Sequence, residues 1–152
     1  LSRRDILLDS LQATLTDLQR ITRPVREVDA WRRAGPESWS VADVVAHMAQ
    51  IEPLMRARFA RVVTQERPFE PYLHPDERTH DVRRSLAALV EEFVRERRFT
   101  LAYLAGLAPG DWNRRFTHQT EGEQLLRQGV QTLVGHDNDH LEQIATIREF
   151  LA

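Results

Sequence analysis

The strongest constraint on this chain is an apolar pattern of helical period, punctuated by repeated helix-start signals. Leu7, Leu11, Leu15 and Leu18 form one stripe, and Val44, Met48, Ile51, Met55, Phe59 and Val62 form a second. Steps of three and four residues put such side chains on one helix face. Each stripe follows a serine with an aspartate three residues later, Ser2 with Asp5 and Ser40 with Asp43. That pairing is a capping box, and Leu1 with Ile6 and Trp39 with Val44 stand at staple spacing around it. The spacing predicts a first helix from about Ser2 to Ile21, stopped by Pro24, and a second from Ser40 that bends but continues at Pro53. A third is expected from about Thr79 to Ala105, carrying Val82, Leu86, Leu89, Phe93 and Leu101, with Gly106 just beyond its end. A fourth is expected to open on Thr120-Glu121-Gly122-Glu123, read as another capping box, and to run to Phe150.

No segment alternates with period two for long enough to read as a strand, so the expected fold is all-α, a four-helix bundle. The 152 residues suit a single domain spanning 1–152. All three connections exceed ten residues, more than a simple helical hairpin needs. The proline-bearing segment 66–78 and the segment Leu107 to Gln119 read as long loops, which permit crossovers and can surround a site. A net charge of -2 argues against a nucleic-acid partner. No apolar run approaches the roughly 18 residues of a membrane helix and no signal-peptide pattern opens the chain, so the expected location is cytoplasmic. The sequence has no cysteine, which removes thiolate ligands and a cysteine nucleophile, and no lysine, which removes Schiff-base chemistry.

The residues that carry chemistry are histidines. His136 and His140 are four apart on the last predicted helix, so they share a face, and the stripe Leu133, His136, His140, Ile144, Ile147, Leu151 is the one expected to turn inward. Imidazoles placed among apolar residues need partners. Two at this spacing can each bring a ring nitrogen to about 2.1 Å from one divalent ion. The same spacing also fits one hydrogen-bonded core histidine beside a partly exposed one. His47 lies beside the core stripe of the second helix, sharing a face with Val44 and Ile51. Three neutral imidazoles from two helices would make an open metal site rather than a closed structural one.

The stretch Glu37-Ser38-Trp39-Ser40-Val41-Ala42-Asp43-Val44-Val45-Ala46-His47-Met48 resembles the DinB/YfiT-like family. So do Phe116-Thr117-His118-Gln119, Gly122-Glu123-Gln124-Leu125-Leu126, and His136 through Ile144. The order and spacing of these motifs, over nearly the whole chain, carry the likeness. The resemblance implies a bundle with up-down-down-up connectivity, a homodimer, and a divalent ion, commonly nickel or zinc with iron as a further option. Its ligands, carried over by position, would be His47, His136 and His140. It also implies kinship with metal-dependent enzymes whose characterised members include transferases and isomerases using low-molecular-weight thiols such as bacillithiol or mycothiol.

Two functions stay open on this reading. One is a metal-dependent enzyme, a thiol S-transferase in detoxification or stress response or a hydrolase, acting on a small molecule. The other is a non-catalytic, metal-stabilised dimer that serves as an interaction or sensor protein. Around the three histidines, Asp137, Asn138 and Asp139 are candidates to orient an imidazole, with at least two of them expected to face solvent. His118 reads as a surface-loop residue with a place near the open side of the metal as the alternative. His74 and His80 receive no role. Glu52 points about 140° away from His47 around its helix. The clusters Arg56-Arg58-Arg61 and Arg95-Arg97-Arg98 read as solvated faces.

Overall fold

The structure is a computed structural model and describes residues 1–74 and 80–152. Four helices dominate it: α1 (Arg3–Thr22), α2 (Val41–Thr64), α3 (Leu86–Ala105) and α4 (Leu126–Leu151). Both serine capping boxes form as the sequence predicts. Ser2 accepts from the Asp5 amide at 3.1 Å and Ser40 from the Asp43 amide at 3.0 Å, with each aspartate bonding back. Trp39 packs onto the core beside Val44. The Leu1–Ile6 staple does not form, because Leu1 projects into solvent and Ile6 is half exposed. α2 continues unbroken through Pro53.

Two apolar clusters fix the helix directions. At one end Leu15 and Leu18 of α1 meet Val41 to Ala49 of α2, Leu86 and Phe93 of α3, and Ile144 of α4. At the other end Leu7 and Leu11 meet Met55 and Phe59, Leu104, and Leu126 and Val130. α1 and α4 therefore run one way and α2 and α3 the other, the up-down-down-up arrangement. Parallel neighbours cannot be joined by a short hairpin, so the segment between α2 and α3 must travel the length of the bundle.

Three expectations fail at the element boundaries. The connections contain a small three-stranded sheet, β1 (Phe69–Glu70), β2 (Arg115–His118) and β3 (Gly122–Leu125), in the order β1-β2-β3. β1 pairs parallel with β2, and β2 antiparallel with β3 with Phe116 opposite Gln124. Strands of four residues or fewer are too short for alternation to announce them; only Phe116 of β2 is buried. In the stretch Thr120-Glu121-Gly122-Glu123, Thr120 and Glu121 consequently belong to the hairpin turn and Gly122 and Glu123 open β3, so no helix starts there. Gly122 takes φ +72, where an L side chain would be strained. α4 opens instead after Leu125, whose amide donates to Gln128 Oε1 at 2.7 Å.

The third helix likewise begins later than expected. The expected start, Thr79, and Pro75 of the preceding loop lie outside the described residues, and Val82 is exposed before the helix. Ser85 caps α3, accepting from the Ala88 amide at 3.1 Å. Glu27 supplies a second cap from a distant loop, its carboxylate accepting from the Leu86 amide at 2.7 Å. Among the described residues no helix is long and apolar enough to cross a membrane.

Candidate metal centre

α2 and α4 lie antiparallel and adjacent, so His47 near the start of one faces His136 and His140 around the middle of the other. Four-residue spacing on α4 aligns the last two along one face. His136 Nε2 lies 3.0 Å from His47 Nε2 and 3.0 Å from His140 Nε2. These are the three residues that the sequence singles out. Among the described residues they form the one group of histidine, aspartate or glutamate side chains placed to share an ion.

The donor set fits a divalent cation. Two imidazole nitrogens at about 2.1 Å from one ion and at right angles stand about 3.0 Å apart, which matches the observed separations. The protonation state suits it as well. His140 Nδ1 is 2.8 Å from Gln143 Oε1, which can only accept, so Nδ1 is the donor there and Nε2 is the ring atom turned to the other histidines. Burial, with the neighbouring His140 adding to it, pushes His47 down to about 4 and His136 down to about 3. Both are neutral at pH 7, the form that binds a metal.

Aromatic packing and a fourth histidine hold the end wall. The Trp39 indole lies parallel to the His140 ring, with 6.3 Å between centroids, and meets His47 edge-on at 5.3 Å. Behind Trp39, His80 Nδ1 is 2.9 Å from Asp43 Oδ1, and Arg33 binds both oxygens of the same carboxylate at 2.8 Å. Asp43 thus caps α2 and anchors the crossover segment at once. Sequence reasoning gave His80 no role because its partner is thirty-seven positions away; the capping aspartate was visible, its second partner was not.

The imidazoles open into a cavity of about 1070 Å³ between α2, α4 and the sheet. Ile51, Met55, Phe116 and Leu133 supply apolar wall; Arg58 and His118 supply polar wall. His118 is half-buried on β2 rather than in a surface loop. Its Nδ1 accepts from the Thr120 and Glu121 amides, both at 3.2 Å, which leaves the proton on Nε2. Burial and the nearby Arg58 charge lower the His118 pKa, so the ring is a neutral donor.

Two of the arginine clusters differ from expectation. Arg97 and Arg58 are buried, at 0% and 5% exposure, instead of lying on solvated faces. Arg97 pairs with Glu52 and Asp137, so Glu52 turns away from His47 as the helix geometry requires. Asn138 and Asp139 face solvent, and Asp137 serves the core rather than an imidazole.

Known proteins share this architecture. The sequence profile of the DinB superfamily matches residues 5–144. YfiT from Bacillus subtilis, described as a probable metal-dependent hydrolase with an unusual four-helix bundle topology, superposes with a TM-score of 0.80. It is 20% identical, over 99% of this chain and 90% of that one. TT2238, described as a four-helix bundle protein, superposes with a TM-score of 0.70 at 20% identity, over 94% of this chain and 98% of its own. At these identities the two structures speak to the fold. No curated protein matches the sequence.

Proposed function

The chain belongs to the DinB superfamily, and from that premise we propose that it is an enzyme dependent on a divalent ion held by His47, His136 and His140. The observation that carries this reading is the convergence of three imidazole Nε2 atoms beside a large cavity. The donor set suits nickel or zinc, with iron also compatible. Such an ion acts as a Lewis acid and brings the pKa of a thiol or water toward neutrality.

The chain's own residues then have defined tasks. Gln143 holds the His140 tautomer, and Trp39 screens the back of the cluster from water. Three protein ligands leave coordination positions open toward the cavity. His118 offers an Nε2 proton in the cavity wall. With no cysteine or lysine in the chain, activation of a nucleophile falls to the ion rather than to a side chain of either type.

The reaction we favour is transfer of a low-molecular-weight thiol to a small electrophile. Hydrolysis is the second reading, and it is supported by the fold shared with YfiT and that protein's description. Metal analysis of untagged protein, followed by thiol-transfer and hydrolysis assays, tests both. About one divalent ion per chain and a chelator-sensitive activity are expected. Full activity after chelation, or in His136→Ala, would overturn the proposal.

A further inference from the structure

We infer that Arg58 forms a carboxylate-binding subsite at the opposite end of the cavity from the three imidazoles, so that the bound molecule is an elongated monoanion with an apolar middle. Its anchoring at the histidine end rests on the proposed metal centre; the carboxylate subsite stands on separate observations.

The first is charge. Glu70 is 1% exposed and is gripped by Arg61, whose Nε and Nη2 donate to its two oxygens at 2.8 and 2.6 Å. Arg58 Nε stands 3.4 Å from the same carboxylate, beyond good hydrogen-bond geometry. Its Nη2 donates to the Pro71 carbonyl, and among the described residues its buried Nε has no hydrogen-bond partner. Two guanidiniums therefore share one carboxylate, and one positive charge in a buried wall is left over. Burial lowers the Arg58 pKa and Glu70 opposes the shift, while a guanidinium stays protonated throughout. Carboxylates and phosphates are the anions a guanidinium takes in this way.

The second is position. His47 and Arg58 are both on α2 and both line the cavity. Eleven residues separate them, about 16 Å along the axis and about 20° around it. Ile51 and Met55 line the cavity between them, and Phe116 and Leu133 also contribute apolar wall. A molecule reaching from one end to the other meets apolar surface in the middle. His118 lines the same cavity and adds a neutral donor. Glu121 is exposed at the same cavity and disfavours a second negative charge, which selects a monoanion over a phosphate dianion.

Calorimetric titration of metal-free protein with octanoate and octanol tests the subsite alone. Octanoate should bind at least about tenfold tighter, the scale of a charge-assisted hydrogen bond. Arg58→Met should erase that preference and Arg58→Lys should restore part of it, with thermal melts confirming that each variant is folded. Equal binding of the two probes, no binding of octanoate, or a preference surviving in a folded Arg58→Met variant would overturn the inference. Cobalt-loaded protein is then titrated with mercaptoundecanoate and mercaptoundecanol. A cobalt–thiolate absorption band with both, at lower concentration for the carboxylate, supports the two-ended molecule. An absent band with the octanoate preference intact sinks the thiol reading of the metal centre and leaves the Arg58 subsite standing.

Discussion

Arg97 Nη1 and Nη2 donate to the two carboxylate oxygens of Asp137, each at 2.8 Å, and Asp137 is the residue that follows His136. Both groups are buried. Arg97 Nε also donates to Glu52 at 2.7 Å and Nη1 to the Leu11 carbonyl at 3.0 Å, while Thr14 donates to Asp137 at 2.8 Å. One guanidinium thereby ties α1, α2 and α4 to α3 at the level of the histidine cluster. The pairing sets the rotation of α4 that turns His136 and His140 toward His47.

Replacing Arg97 by Met leaves two carboxylates buried without their cation. Breaking a buried ion pair from one side costs about 3–5 kcal/mol, so urea unfolding should show a loss of that size. Arg97→Met combined with Glu52→Gln and Asp137→Asn should recover part of it. A loss below about 1 kcal/mol for Arg97→Met would contradict the role assigned to the pair.

Metal affinity should separate the ligand from the residue that orients it. His136→Ala is expected to abolish stoichiometric binding, whereas Gln143→Leu should weaken it by about 10–100-fold, as loss of a hydrogen bond to a ligating histidine does. Competition with a chromophoric chelator measures both. Unchanged affinity in Gln143→Leu would mean that the His140 tautomer is held some other way.

Asp43 makes acid stability a second readout. Burial alone would raise its pKa, but hydrogen bonds from Arg33, His80 and Ser40 outweigh it and hold the carboxyl far below the usual range. Its folded pKa thus lies below its unfolded value, near 3.9 for a free side chain. The unfolded chain binds the extra proton, so this contribution is complete above about pH 5 and drains away progressively as pH falls from the unfolded value toward the folded one. Asp43→Asn should lower stability at neutral pH and flatten the acid limb of the stability curve. An unchanged acid limb, followed by circular dichroism from pH 6 to pH 2, counts against this.

The two glycines inside α4 should respond differently to alanine. A Cβ at Gly135 meets nothing within 4 Å, so Gly135→Ala should stabilise by about 0.5–1 kcal/mol through helix propensity. At Gly129 a Cβ would stand 3.3 Å from Phe59 Cε1, a tight contact, and 3.5 Å from Phe116 Cζ, an ordinary one. Gly129→Ala should therefore gain less than Gly135→Ala or lose stability. Equal gains in chemical denaturation would show that the aromatic pair yields freely.

What the sequence determined by itself was local and periodic. The serine–aspartate boxes at Ser2 and Ser40 set two helix starts, because each depends on groups three residues apart. The apolar stripes defined four helices, and four-residue spacing put His136 and His140 on one face. Tertiary structure decided the rest, since the deciding partners are distant in the chain. Glu27 caps α3 from an earlier loop, and β2 recruits both Phe69–Glu70 and Gly122–Leu125 into a sheet too short to leave a pattern. Arg97 and Arg58 look like solvated charges in one dimension, and only folding brings Asp137 and Glu70 to them. Periodicity reports which side of a helix faces inward; it carries no record of which charge waits there.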